Sequence, residues 1–489
     1  MSRFTRRDFI KGSAGVAGAA MLLPSARVLG ANEDIRVAVV GFNSRGADHI
    51  SELLKISGVR LVALCDVDPA VLARHVDALD KKNVKVTGYS DVRKLLESKE
   101  IDAITTATPN HWHSLIGIWA CQAGKDAYVE KPISHTVWEG RQLVKAAAKH
   151  GRIVQGGTQS RSDGRLRHAV KWVQEGNLGK IRAVYGMCYK PRQSIGKVGH
   201  GEIPAGLDYD LWCGPSPKKP LARKRLHYDW HWIYDTGNGD MGNQGIHQMD
   251  IARWFLGVDE LSPRVMSIGG RLGYDDDGET PNTQIVIHDY EKAPLFFETR
   301  GLPKAKEFQE ASLWGKNMDS PDWFPGGSGI SVVVDCEGGR VYDGKGDVAA
   351  FDHDGKKIKE FPKDDREGHM ENFISAMRTR KAESLNAHCK ETHLSSALCH
   401  TGLISHQLGK RSRPEEILEQ IKGNKLDNAR YESMKDHLAR NGVDISGNVV
   451  TLGPWLTFDP KTEKFVGNEE ANAIARGKYR EPFVVPSKV

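Results

Sequence analysis

Cysteine is scarce in this chain, and its pattern excludes two classes of protein at once. The seven residues, Cys65, Cys121, Cys188, Cys213, Cys336, Cys389 and Cys399, are odd in number, unclustered and never spaced as CxxC. Neither a disulfide framework nor a thiolate metal centre is indicated. An excess of one charge is also missing. The 69 Lys and Arg against 63 Asp and Glu leave a net +6 over 489 residues, and part of that sits in the first dozen, so no nucleic-acid surface is expected. The acidic stretch "YDDDGE" (274–279) reads as a solvated turn. Beyond residue 30 no apolar run approaches the ~20 residues that span a bilayer. His111 and His113 lie two apart with no Cys or acid beside them, so no metal is expected.

What is present begins with an address. Arg3, Arg6, Arg7 and Lys11 precede the small-residue apolar run "GSAGVAGAAMLL", followed by "PSARVLGAN". A basic start, a short apolar core and small residues form an export signal rather than a membrane anchor. Arg6-Arg7 before "DFIK" resembles the twin-arginine signal of the bacterial Tat route, with residues 1–31 removed in the periplasm or outside the cell. Tat cargo folds before export, in a reducing compartment, which accords with free buried thiols.

From residue 35 the chain reads "IRVAVVGFNSRGADHISELLKI". Ile35 to Val40 is a continuous apolar run of the kind buried on both faces of a parallel sheet. A helix follows with Ile50, Leu53 and Leu54 on one face. Between them lies Gly41, Phe42, Asn43, Ser44, Arg45 and Gly46, a dinucleotide fingerprint with Asn at the middle glycine position. Asn tolerates positive φ, and its side chain is placed to meet phosphate or ribose. A second strand ends on Asp66, twenty residues beyond Gly46, where a Rossmann unit places its ribose-binding acid. A carboxylate there repels a 2′-phosphate and favours NAD over NADP. Further strands end near Thr108-Pro109-Asn110 and Glu130-Lys131. These residues, with His113, complete the expected cofactor-binding set, because ligands sit beyond the carboxyl ends of parallel strands.

"VAVVGFNSRG", "TATPNHWH" and "YVEKPIS" together resemble the Gfo/Idh/MocA oxidoreductases, a family that includes glucose–fructose oxidoreductase and inositol dehydrogenases. "DYDLWCGPSP", "GNQGIHQMDIARW", "HMENFISAM" and "THLSSALCHTGLISHQLG" extend the resemblance over most of 35–410. It implies an α/β architecture: a Rossmann NAD-binding domain (32–157), then a substrate domain (158–410) with a large, mostly antiparallel sheet. One sheet face would cover the nicotinamide and the other would form a homo-oligomer contact. Alternating runs such as "KIRAVYGMCY", "NTQIVIHDY" and "ISVVVDCEGGRVYD" support the sheet independently. Residues 411–489 read as an accessory extension with two helices and a hairpin near "DPKTEKF".

Oxidation of a carbinol needs a hydride acceptor, a base for the hydroxyl proton and a cation at the developing oxyanion. The resemblance assigns the last role to Lys131, with Glu130 beside it to hold it. His247 is the candidate base. Asn243, His247 and Asp250 fall at i, i+4 and i+7 and should share one helix face. Asn243 stands where sugar dehydrogenases of the family usually carry Asp; it can orient an imidazole but cannot stabilise its cation by charge. "HYDWHWIYDTGNGD" (227–240) offers Trp230 and Tyr234 as platforms for a carbohydrate ring. Arg161, Arg165 and Arg167 offer either a contact for an acidic sugar or a solvated helix start. The expected activity is hydride transfer between a carbohydrate or polyol hydroxyl and tightly bound nicotinamide. Two alternatives stay open. One is a redox-neutral lyase or glycosidase using NAD transiently, although the Tyr-Pro-Thr-His stretch of the NAD-dependent α-N-acetylgalactosaminidases is absent. The other is a non-catalytic sugar-binding protein on the same fold.

Overall fold

A computed structural model describes residues 34–321, 323 and 327–489; the export signal lies outside the described residues. The first domain is a six-stranded parallel sheet in the order β3-β2-β1-β4-β5-β6. Its strands are β1 (Ile35–Val40), β2 (Val59–Cys65), β3 (Thr87–Tyr89), β4 (Ala103–Thr106), β5 (Asp126–Val129) and β6 (Val154–Gly156). The order reverses at β1/β4, so the carboxyl ends of those two strands open a crevice. The short, polar β3 escapes a reading based on apolar runs. Ile50 and Leu53 are buried beneath the first helix, Arg45–Leu53, but Leu54 is 40% exposed because the helix ends before it.

The tight turn after β1 rests on Gly41, at φ +73°, and not on Asn43, whose backbone is not left-handed. Here a Cβ on Gly41 would stand 2.8 Å from Thr108 Cγ2, and one on Gly46 would collide with the Gly41 carbonyl. The glycines therefore serve close approach as well as the turn.

The second domain is built on a twelve-stranded mixed sheet. It contains β7 (Ile181–Cys188), β8 (Arg264–Gly270), β9 (Thr283–His288), β10 (Leu295–Arg300), β11 (Ile330–Cys336), β12 (Gly339–Gly344), β13 (Asp347–Phe351) and β14 (Lys357–Glu360). The β7/β10 pair is parallel and its other pairs are antiparallel. Helices Ile246–Leu256 and Cys389–Gln407 pack one face with Leu295, Phe297, Val332 and Val334. Helix His369–Thr379 returns to the first domain, burying Phe373 and Met377 with Val37 and Val39 of β1.

Two features of the fold go beyond the sequence reading. On the sheet's other face, Ile417 and Ile421 of helix Pro414–Ile421, and Tyr431, Met434 and Leu438 of helix Lys425–Arg440, cover Tyr185, Ile285 and Phe296. Residues beyond 410 are also more than an accessory. β15 (Lys410–Ser412), β16 (Val450–Leu452) and β17 (Leu456–Asp459) join the sheet, with β16 and β17 both pairing to β8. They satisfy backbone groups that β8 would otherwise leave at an open edge. The seven cysteines are all buried and free.

Candidate active site

A cleft of about 250 Å³ opens at the β1/β4 switch point, lined by Gly41–Arg45, Asp66, Thr108–Asn110, His113, Glu130, Lys131, Trp230 and Asn243. Ser44 gives helix Arg45–Leu53 no side-chain cap. The first amides of that helix are therefore left to a ligand at its positive end. Asp66 is oriented by two amides, Phe42 N donating at 3.3 Å and Asp68 N at 3.0 Å. Burial raises its pKa above the usual carboxylate value. Asn43 is exposed, and its Oδ1 accepts from Arg74 at 3.0 Å.

Other fingerprint and strand-end residues form the frame rather than free contacts. Glu130 is buried and accepts from Arg45 Nε at 3.0 Å, His49 Nε2 at 3.1 Å and Gln159 Nε2 at 3.0 Å. Burial opposes its ionisation, but His49, Lys131 and Arg45 outweigh this and hold its pKa well below the usual value. Glu130 fixes Lys131 through the backbone: Lys131 N donates to Oε2 at 3.1 Å. A Cβ on Gly157 would lie 2.7 Å from that same oxygen, so Gly157 makes room for the carboxylate. His113 is buried, with its ring nitrogens 2.7 Å from the Pro132 and Thr108 carbonyls. Asn110 Nδ2 donates to Asn238 Oδ1 at 2.9 Å.

The Lys131 ammonium crosses to the second domain and donates to the Asn243 carbonyl at 2.6 Å. Burial lowers its pKa below 10.5; Glu130 opposes this and Arg45, Lys190 and Arg192 reinforce it. Asn243 lies in a π-helical turn, Met241–Gly245, that runs into helix Ile246–Leu256. Such wide turns interrupt the regular helical bonding and recur at functional sites. His247 stands on the next turn, half-buried and beside the cleft rather than among its lining residues, and no hydrogen bond from a described residue occupies its ring. Burial, and then Lys131, push its pKa down to about 3, so the imidazole is neutral at working pH.

Two expected substrate contacts lie elsewhere. Asp250 is buried and not in the cleft. Arg161 Nε and Nη2 donate to it at 2.9–3.0 Å, and Ser395 Oγ donates at 2.6 Å. Asp250 follows His247 by three residues within the regular helix Ile246–Leu256, and its pairing with Arg161 and Ser395 is what takes it out of the cleft. The same pair removes Arg161 from any sugar; Arg165 and Arg167 pair with Asp163 and Asp364. Tyr234 lines a second cavity, of about 450 Å³, with His111, His135 and His400. Trp230 does wall the cleft, stacked on His231 at 3.6 Å between ring centroids. Sequence reasoning missed His227, whose Nε2 lies 2.8 Å from Asp68 Oδ2 and joins the second domain to the ribose end of the cleft. It also missed Lys190 and Arg192, lone basic residues in no motif.

Comparison with known proteins agrees with this architecture. Residues 35–158 match "Oxidoreductase family, NAD-binding Rossmann fold" and residues 176–291 match "Oxidoreductase family, C-terminal alpha/beta domain", the two parts of the Gfo/Idh/MocA family. Residues 3–24 match the twin-arginine translocation signal, which supports export to the periplasm or beyond. The chain is 29% identical over 233 residues to an inositol 2-dehydrogenase of Salmonella paratyphi B, 47% of this chain and 57% of that one. The match thus spans little more than half of that relative's length. A glycosyl hydrolase family 109 protein of Shewanella sp. is 36% identical over 122 residues, 24% of this chain and 27% of its own. The WlbA dehydrogenase of Bordetella pertussis, solved with NADH and UDP-GlcNAcA, shares the fold. Its TM-score is 0.54 at 19% identity, covering 76% of this chain and 95% of that one. The chain belongs to the Gfo/Idh/MocA oxidoreductase family, carrying its NAD-binding Rossmann domain and its C-terminal α/β domain behind a twin-arginine signal.

Proposed function

We propose that this protein transfers hydride between a carbinol of a carbohydrate or polyol and a nicotinamide dinucleotide, NAD in preference to NADP. The observation that carries the reading is the Lys131 ammonium, anchored at 2.6 Å on the Asn243 carbonyl one turn before an unbonded His247. The cleft fits the dinucleotide at its fingerprint loop: Gly41 and Gly46 let that loop pack against Thr108 and itself without a Cβ, and Gly41–Arg45 line the cleft at the amino end of the first helix. The amides of Arg45 and Gly46, which Ser44 leaves uncapped, would hold the pyrophosphate. Asp66 would take the adenosine ribose hydroxyls and oppose a 2′-phosphate. When bound, the nicotinamide supplies the hydride acceptor or donor.

The remaining chemistry belongs to side chains. Lys131 donates to the reacting oxygen and stabilises the negative charge that develops there. His247, neutral at working pH, takes the hydroxyl proton. Asn243 orients the sugar or the imidazole without adding charge. Trp230 gives the ring an apolar face.

A redox-neutral cycle is the second reading, favoured by the export signal and by the family 109 relative. Outside the cytoplasm a bound nicotinamide must be restored on the enzyme, by a second substrate or by a later step of the same cycle. The test is titration with NAD and NADP, then a panel of sugars, polyols and glycosides. Each is scored for reduced nicotinamide and, by mass spectrometry, for altered sugar or released aglycone. NAD binding with change in at least one sugar is expected. No nucleotide binding, or no chemical change across the panel, overturns the proposal.

A further inference from the structure

Three cations from different parts of the chain converge on one short turn, residues 240–244. Arg192 reaches its start, donating to Asp240 at 2.8 Å through Nη2 and 3.0 Å through Nε. Lys131 donates to the Asn243 carbonyl at 2.6 Å. Lys190, which follows β7 and Tyr189, donates to Gln244 Oε1 at 3.1 Å. The turn brings a single carboxylate, Asp240, and Arg192 occupies it. Arg45 and Glu130 pair likewise on the first domain. Two ammonium groups are then left on consecutive residues of one turn, each with a neutral oxygen as its partner. Neither forms a salt bridge with a described carboxylate.

Such an arrangement is unfavourable for the protein alone. Partly desolvated cations with no carboxylate in contact repel each other and lose hydration. Neutral amide oxygens return only part of what water or a carboxylate supplies. Burial and mutual repulsion act in the same sense, Arg192 opposing the charge of Lys190 and both opposing that of Lys131, while Glu130 and Asp240 offset this only in part. A ligand anion would remove the imbalance.

We infer that the sugar bound here carries an anionic substituent, which Lys190 holds while Lys131 faces the reacting hydroxyl. The inference rests on the proposed carbohydrate site and narrows its substrate class from neutral sugars or polyols to sugar acids or sugar phosphates. Lys190 is the specificity-determining residue. Its flexible ammonium serves carboxylate and phosphate alike as a point charge, so the two sources are separated by experiment rather than by geometry.

The experiment is calorimetric titration of the full exported chain, saturated with NAD, using glucose, glucuronate and glucose 6-phosphate. It is repeated with galactose and galacturonate, and on the variants Lys190→Met and Lys190→Arg. At least one anionic sugar is expected to bind about 10- to 100-fold more tightly than its neutral parent, the range of one charge-assisted hydrogen bond. Lys190→Met should erase that ratio, while Lys190→Arg restores most of it. Preference for glucuronate or galacturonate identifies a carboxylate, and preference for glucose 6-phosphate a phosphate. Equal binding of neutral and anionic sugars, no binding by any of them, or a ratio that survives Lys190→Met overturns the inference. The NAD titration that precedes each run reports on the cofactor reading separately.

Discussion

Replacing Asp250 by Asn separates a structural carboxylate from a catalytic one. Asp250 sits on the same helix as His247 and three residues beyond it, so its sequence position alone invites a role in the reaction. In the fold its side chain is 1% exposed and that of Arg161 is 7% exposed. Losing one partner of a buried, hydrogen-bonded ion pair costs about 3–5 kcal/mol. Asn keeps the volume and one acceptor oxygen, and Glu391 Oε2 stands 3.7 Å from Arg161 Nη1 as a partial substitute. The net loss should therefore be nearer 2–3 kcal/mol. If the second domain unfolds as one unit of roughly 250 residues, that lowers Tm by about 4–6 °C. The assay is thermal denaturation alongside NAD titration. Stability should fall while nucleotide affinity stays within a factor of about three, well under the 1.4 kcal/mol of a tenfold change. The double variant Arg161→Met, Asp250→Leu should be more stable than Asp250→Leu alone, because it buries no unpaired cation. An unchanged Tm with turnover abolished would refute the structural assignment.

Other outcomes follow from the same geometry. Gly46→Ala places a methyl group against the Gly41 carbonyl and should weaken NAD binding at least about tenfold, roughly one lost phosphate–amide hydrogen bond, measured by fluorescence titration. Lys131→Met should lower kcat about 10²- to 10⁴-fold with NAD affinity retained. Burial places the Lys131 ammonium below its ordinary 10.5, so deprotonation with rising pH should end activity before that value. Lys131→Arg should move this alkaline limb upward. Glu463 ties the β17 hairpin to helices Val137–His150 and Cys389–Gln407. Burial opposes its charge, but hydrogen bonds from Arg141 and His393 outweigh it and hold the pKa at about 2. A carboxyl lowered on folding stabilises the native state above its unfolded value and loses that contribution as pH falls. Between ~4.5 and ~2 the chain should lose up to about 3 kcal/mol, and Glu463→Gln should flatten that part of the Tm–pH curve.

Much of the first domain was legible because its signals are local. A buried parallel strand is an unbroken apolar run, as in Ile35–Val40, and the glycines at 41 and 46 mark backbone approach. Strand-ending Asp66 and Lys131 fall in the cleft because a parallel sheet gathers its carboxyl ends on one side. Asp250 was misplaced because helical periodicity shows which residues share a face but not that Arg161 and Ser395, from distant parts of the chain, pair with it there. Tyr234 was misplaced because an aromatic run does not say which of two adjoining cavities each ring serves. Lys190 and Arg192 carry no motif. Their meaning lies in tertiary charge pairing, in which Asp240 is taken and two ammonium groups are left. Coverage of the outer sheet face by residues 414–440 was likewise unreadable, since amphipathic helices such as "PEEILEQI" do not name the surface they cover.

The central claim is that hydride passes between a sugar or polyol carbon and a nicotinamide held in this cleft. Its most direct test is incubation of the NAD-loaded protein with a substrate deuterated at its carbinol carbons, followed by mass spectrometry of both nucleotide and sugar. The account predicts deuterium on the nicotinamide, or on a sugar product to which it has returned, and its loss in Lys131→Met. A substrate that is consumed while its deuterium never reaches either the nicotinamide or a re-reduced product would contradict it.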